Sequence, residues 1–335
     1  MNNQADETQV ALRHYWHPVI RANGVVDKPV AVKLLGEPLV VWRAPEGVAV
    51  FYDLCIHRGT PLSLGSIEDG EIVCAYHGWR YNAHGMCTRI PSIPHAQPIP
   101  PKARARLQRA EERYGFIWVC LDEPRASIPE FPPEFNDPSF EWEPFSTEGV
   151  WQANAARIIE NLADYSHFPW VHPGTLGDRE KPECEDITIE KAEGGFQYTI
   201  EQPVNTLRAD AAARQLYTMI LPFTLFIQRW QPGGNERLTN IFLCCPISSM
   251  ETKYFRLMGK NFQGFRSNDE LNARHRLTFA QDRVIVEAQR PEELPIDLSE
   301  ELHLRGPDAP AVEYRRQLRE LGLTPGPRQQ LPGNR

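Results

Sequence analysis

Hydrophobic and polar positions along the chain follow one rhythm up to Leu121 and another beyond it. In the first part, apolar residues come in short runs rich in β-branched and aromatic side chains: Pro38–Arg43, Val48–Leu54, Glu71–Tyr76 and Tyr114–Leu121. Such runs, closed by turn formers, predict short strands. The segment 91–101 is crowded with prolines, so it can be neither a central strand nor a helix and reads as an extended surface stretch. A second proline-rich stretch, Pro124–Pro144, predicts a domain boundary.

Beyond that boundary the elements lengthen. A helical segment is predicted over Gln152–His167, then strands over Ile187–Glu190, Phe196–Gln202, Tyr217–Trp230, Leu238–Pro246 and Thr252–Lys260. Two helices follow, over Asp269–Gln289 and Pro310–Leu321. The order implies an antiparallel sheet packed on helices, an α+β domain. The expected division is an N-terminal segment 1–14, an all-β domain 15–123, a linker 124–145 and a second domain 146–335.

Composition narrows the function classes. At 335 residues the chain has ample apolar material for two cores, and its formal charge of −8 argues against a nucleic-acid partner. The polar, acidic N-terminus lacks the apolar core of a secretory signal. The longest apolar stretch, Thr218–Ile227, is broken by Pro222 and too short to span a bilayer. A soluble, cytoplasmic protein without a membrane partner is expected. Cys87, Cys120, Cys184, Cys244 and Cys245 show no disulfide spacing and read as small buried hydrophobes.

The other two cysteines carry chemistry. Cys55-Ile-His57 and Cys74-Ala-Tyr-His77 are separated by sixteen residues, and each supplies one thiolate and one imidazole on a tight loop. Gly59, Pro61 and Gly78 follow and suit such turns. Zinc sites of the Cys2His2 type usually pair like with like. Mixed pairs fit a Rieske [2Fe–2S] cluster, in which two cysteines hold one iron and two histidines the other.

A second motif lies in Asn161-Leu-Ala-Asp164-Tyr-Ser-His167-Phe-Pro-Trp-Val-His172. Asn161, Asp164 and His167 recur every third residue and would share one helical face. His172 lies roughly 140° further round an ideal helix, and a break at Pro169 would swing it back towards His167. Two imidazoles and a carboxylate make the facial triad of non-haem Fe(II) oxygenases. The carboxylate must come from elsewhere, and Asp282, which opens the apolar stretch Ala280–Glu287, is the candidate. Two ordinary histidines packed beside Trp170 would meet the same spacing, and a solvated helix acid would account for Asp164; the cluster motif upstream favours the metal reading.

With both motifs on one chain, the sequence resembles the Rieske non-haem iron oxygenases, specifically their catalytic α-type subunits, over nearly its whole length. The resemblance is carried by Cys-x-His…Cys-x2-His at 55–77, Asn-x2-Asp-x2-His-x4-His at 161–172 and Gln-Asp-Arg at 281–283. Within the family it is similar to the methylxanthine N-demethylases and the saxitoxin-pathway hydroxylases, through 31–40, 112–121, 167–179 and 314–323. The resemblance implies an N-terminal Rieske domain and a C-terminal helix-grip (START-like) sheet around the active site. It implies a [2Fe–2S] cluster on Cys55, His57, Cys74 and His77, and Fe(II) on His167, His172 and Asp282, with Asn161 near the iron. It also implies O2 as co-substrate and NAD(P)H electrons delivered by a ferredoxin or flavin reductase. Subunits of this kind form head-to-tail homotrimers, in which Asp164 would bridge His77 of an adjacent chain to His167.

The activity expected is monooxygenation, by hydroxylation or oxidative N- or O-demethylation, of a small aromatic or heterocyclic substrate. A cis-dihydroxylating ring dioxygenase is the alternative; a pure electron carrier would need only residues 55–77. The basic run Lys102–Arg109, with Arg113, reads as a solvated face, with docking of an acidic reductase as the sharper alternative.

Overall fold

In a computed structural model of the chain, residues 10–142, 148–202, 213–230, 234–262 and 268–323 are described. Two compact units emerge, one of Arg13–Ile128 and one of Met1–Leu12 with Pro129–Arg335.

The first unit is all β. In chain order its strands are β1 (His17–Arg21), β2 (Val30–Leu34), β3 (Glu37–Ala44), β4 (Gly47–Tyr52) and β5 (Ser66–Glu68). They continue with β6 (Glu71–Val73), β7 (Arg80–Tyr81), β8 (Cys87–Arg89), β9 (Arg109–Arg113) and β10 (Phe116–Cys120). They form three antiparallel sheets, ordered β1-β10-β9, β2-β3-β4 and β5-β6-β7-β8. The continuous apolar runs of β3 and β10 have their central residues buried on both faces, as fully covered strands must. Strand β9 escaped the hydrophobic pattern because it is Arg-Ala-Glu-Glu-Arg, a charged sheet edge. Strands β4 and β6 stop at Tyr52 and Val73, earlier than the apolar pattern suggested, so Cys55 and Cys74 stand in turns. Both sulfurs belong to the apolar cluster of Trp42, Phe51, Ile72 and Tyr81. The basic run is extended and alternating: Ala103 and Ala105 are buried while Arg104 and Arg106 are exposed.

The second unit contains β11 (Glu141–Trp142), β12 (Glu148–Trp151), α1 (Ala155–Ala163), α2 (Phe168–Val171), β13 (Glu190–Ala192), β14 (Gly195–Gln202) and β15 (Ala213–Ile220). These are followed by β16 (Thr224–Trp230), β17 (Arg237–Ser248), β18 (Glu251–Lys260), α3 (Asn268–Ala288) and α4 (Ala309–Glu320). The sheet is antiparallel and ordered β11-β18-β17-β16-β15-β14-β13, with β12 also on β18. The expected fold class is therefore observed: one all-β unit and one unit of antiparallel sheet with helices.

Three predicted elements need correction. The single strand expected over Tyr217–Trp230 is a hairpin, in which Ile220 faces Thr224. Pro222 has no N–H for a ladder, and the Leu221 N–H turns aside to the Gly194 carbonyl. The strand expected over Ile187–Glu190 begins only at Glu190, because the turn at Glu193-Gly194 sets its register by pairing Ala192 with Gly195. The helix expected over Gln152–His167 covers only Ala155–Ala163. Asn154 caps its start by accepting the Ala156 N–H at 3.1 Å, and Asp164 is already extended at its end. Residues 143–145 of the expected linker lie outside the described residues.

A charged network fastens α1 to α4. The buried Arg315 guanidinium donates to both Glu160 oxygens at 2.7 and 2.6 Å, to Glu301 at 2.6 Å and to the Pro295 carbonyl at 3.1 Å. Arg157 adds a bond to Glu301 at 2.8 Å. Burial pushes the Glu160 carboxyl up while Arg315 holds it down. Removing one partner strands the other, so Arg315→Ala should destabilise this unit by about 3–5 kcal/mol in calorimetric unfolding. A loss below about 1 kcal/mol would mean that the network contributes little.

Two candidate metal centres

The Cys55 and Cys74 loops repeat one backbone device. In each, the cysteine carbonyl accepts a glycine N–H four residues on, Cys55 from Gly59 at 2.9 Å and Cys74 from Gly78 at 3.0 Å. The cysteine N–H in turn donates to a carbonyl five residues on, Thr60 at 2.8 Å and Trp79 at 2.9 Å. Both glycines sit at positive φ, +73° and +64°, where a side chain would be strained. The repeat brings the two thiols together and the two imidazoles together. The rings of His57 and His77 lie edge to face at 4.6 Å, and His57 stacks on Trp79 at 4.5 Å.

The donor chemistry fits a Rieske cluster. Cys55 and Cys74 are buried free thiols, and the buried His57 Nδ1 has no hydrogen-bond partner. The Tyr81 hydroxyl lies 3.2 Å from Cys55 Sγ. Burial pushes the Cys55 thiol up; the Tyr81 hydroxyl pulls it back. Tyr81 and Trp79 escaped sequence reasoning, since neither carries a ligand and both act only through position.

The second centre forms where α1 ends. Ala163 is held by the Tyr198 hydroxyl, which donates to its carbonyl, and the chain then leaves the helix at Asp164. Consequently Asn161, Asp164 and His167 do not share a helical face, contrary to the periodicity argument; His167 precedes α2 and His172 follows it. Pro169 lies inside α2, so the break falls five residues before it, at Asp164. The rings of His167 and His172 are 5.2 Å apart.

Asp282 on α3 completes the group. Its Oδ1 lies 3.0 Å from His172 Nε2 and 3.4 Å from His167 Nε2. All three ligand atoms fall within 4.8 Å of one another. The opposite ring nitrogens are held from outside: His167 Nδ1 donates to Asp164 Oδ2 at 3.1 Å and His172 Nδ1 to Gln281 Oε1 at 2.9 Å. This turns both Nε2 atoms towards Asp282, the ring orientation a metal requires. His167 Nε2 and Asp282 Oδ1 are buried without a hydrogen bond, so the donor set fits a divalent metal. Gln281 was quoted in the motif without a role; its partner lies 109 residues away.

Electrostatics agree. Burial opposes charge on His167, but Asp164 and Asp282 outweigh it and push its pKa up to about 9. Burial raises Asp282, yet the two imidazoles bring it down to about 2. Burial likewise raises Asp164, which the His167 and Ser166 bonds keep below the usual carboxylate range. Beside the triad lies a cavity with Asn161, Leu162, Phe168, Phe242 and Phe279 in its wall. Asn161 Nδ2 is buried there without a partner.

Comparison with known proteins agrees with this chemistry. Residues 15–101 match the family model of the Rieske [2Fe-2S] domain, and 151–324 that of the vanillate O-demethylase oxygenase C-terminal domain. Methylxanthine N1-demethylase NdmA of Pseudomonas putida is 35% identical, covering 92% of this chain and 89% of its own. Its structure with caffeine superposes with a TM-score of 0.84, at 32% identity and 94% and 92% coverage. The structure of NdmB from the same organism gives a TM-score of 0.85, at 26% identity and 96% and 94% coverage. With both halves matched in order and a demethylase relative aligned along nearly its whole length, the chain belongs to the Rieske non-haem iron oxygenases, as a catalytic oxygenase component.

Proposed function

We propose that this oxygenase component monooxygenates a small aromatic or heterocyclic compound, by hydroxylation or by oxidative N- or O-demethylation. The observation that carries the reading is the convergence of His167, His172 and Asp282 on one wall of an apolar cavity, with Asp164 and Gln281 fixing both imidazoles from behind. The relatives named as methylxanthine N-demethylases and vanillate O-demethylase favour this outcome over ring dihydroxylation. A matched catalytic domain at 151–324 argues against a pure electron carrier.

When bound, the cluster relays electrons from NAD(P)H through a separate reductase, and Fe(II) activates O2. Cys55, His57, Cys74 and His77 hold the cluster in this reading; His167, His172 and Asp282 hold iron, and the Asn161 amide faces the cavity beside them. The apolar wall excludes water and seats a flat ring. Asp164 orients His167 and, in a head-to-tail homotrimer, would accept an N–H from His77 of a neighbouring subunit. Its side chain keeps 32% exposure while bonded to His167, which leaves room for such a second donor. The working division is 15–123 for the cluster and 146–335 for catalysis. No helix among the described residues is long and apolar enough to cross a membrane. Seven free cysteines suit a reducing cytoplasm.

Three outcomes follow. His167→Ala should lose mononuclear iron in metal analysis while the visible spectrum of the cluster persists; retention of that iron would remove His167 from the ligand set. Asp164→Asn should keep both metals but lower coupled turnover about 100-fold, whereas turnover near that of the parent enzyme would dismiss the bridge. In iron-stripped protein His167 holds its proton up to about pH 9. Fe(II) must displace that proton, so its affinity should rise about tenfold per pH unit from pH 7 and level off near 9. A pH-independent affinity over that range would contradict the assignment.

A further inference from the structure

The cavity has an end that the metal ligands leave unused, and its chemistry differs from the rest. Helix α3 lines it on one side with Leu271, Arg274, His275, Thr278, Phe279 and Asp282, the spacing of a single helical face. His275 precedes Asp282 by seven residues, about 10 Å along the helix axis, the span of one substituted aromatic ring. On the sheet side β16 contributes Ile227 and Arg229, and β17 contributes Leu238, Asn240 and Phe242. Register places Ile227 opposite Asn240 and Arg229 opposite Leu238.

Asp282 is the one carboxylate among the lining residues, and two imidazoles engage it. Arg229 and Arg274 face the same space. The buried Arg229 Nε has no hydrogen-bond partner among the described residues. Directly across the ladder from Arg229 stands Gln215, and the Tyr217 hydroxyl on the same strand engages the Arg229 guanidinium, which leaves the Arg229 Nε–H as the donor without an acceptor. A buried donor left in this state is costly unless an acceptor reaches it. A guanidinium is matched by an oxyanion. Burial and the guanidiniums of Arg256, Arg229 and Arg274 also hold His275 well below its ordinary value. It is therefore neutral and able to donate or accept beside Arg229.

We propose that the substrate is an anionic ring compound, an aromatic or heteroaromatic carboxylic acid, whose carboxylate docks on Arg229 at the end of the cavity remote from Asp282. This rests on the oxygenase reading for the location of the substrate cavity, and it commits that cavity to acids over neutral heterocycles. The ring then lies against the stacked pair Phe242 and Phe279, with the substituent to be oxidised pointing towards the triad.

The test is calorimetric titration of the anaerobic holoprotein with matched pairs of probes: methoxybenzoic, methylpyrrole-carboxylic and methylated purine-carboxylic acids, each against its primary amide, with caffeine as the neutral reference. The proposal expects at least one acid to bind about tenfold or more tightly than its amide, since a charged hydrogen bond is worth at least a decade in affinity. Arg229→Met should bring that ratio to near one, and Arg229→Lys should recover part of it, with the thermal midpoint of both variants checked against the parent. Amides or caffeine binding as tightly as the acids would overturn it. So would an absence of binding by every acid, or an acid-to-amide ratio that survives Arg229→Met. Turnover with a surrogate reductase separates the two levels of the account. An acid that binds through Arg229 without O2-dependent product leaves the docking intact and counts against the oxygenase reading; product from neutral compounds alone keeps that reading and removes the docking.

Discussion

A single carboxylate faced by two imidazoles is the constraint on which the catalytic unit depends. Asp282 Oδ1 sits within 3.4 Å of both His167 and His172, and an arrangement of that kind is stable only with a cation between or beside the groups. Without a metal a proton serves, which is why His167 is pushed up to about 9 and Asp282 down to about 2. Burial sharpens the demand, since His172 and Asp282 are almost wholly removed from water and unpaired charge there is costly. The outer bonds to Asp164 and Gln281 then decide which nitrogen of each ring points inward.

Much of the local architecture serves this geometry. Helix α1 ends at Ala163, where the Tyr198 hydroxyl donates to the carbonyl, and the extended Asp164 lets one chain segment contribute both His167 and the carboxylate that orients it. The Arg315 network anchors α1 against α4, so the helix end that launches Asp164 is held from the other side. In the all-β unit the same economy appears as a repeated turn. Cys55 and Cys74 use identical hydrogen bonds to present sulfur and imidazole together, with glycines at the two positions where φ is positive.

What could be read from the sequence was what is local. The Cys-x-His and Cys-x2-His loops carry their chemistry within a few residues, and long amphipathic or apolar elements such as β17, β18 and α3 were found within two residues of their ends. The helical face expected for Asn161, Asp164 and His167 does not form, because periodicity cannot register that Asp164 leaves the helix. Asp282 was named from its place at the head of an apolar stretch and from family resemblance, and Gln281 was left without a role, because no local spacing ties them to imidazoles more than a hundred residues away. Arg229 gave no signal at all: on an apolar-looking strand it reads as an outward charge, and only the pairing of β15, β16 and β17 turns it towards the cavity. The hairpin at Pro222 was missed because two apolar strands separated by a three-residue turn look like one.

Iron, sulfide and zinc analysis of anaerobically purified protein, combined with Mössbauer spectroscopy, tests the central claim most directly. Two centres of different kinds require about three irons per chain, two in a sulfur-bridged pair and one high-spin ferrous ion. Colourless protein carrying zinc, or a chain with the paired irons alone, would contradict the account.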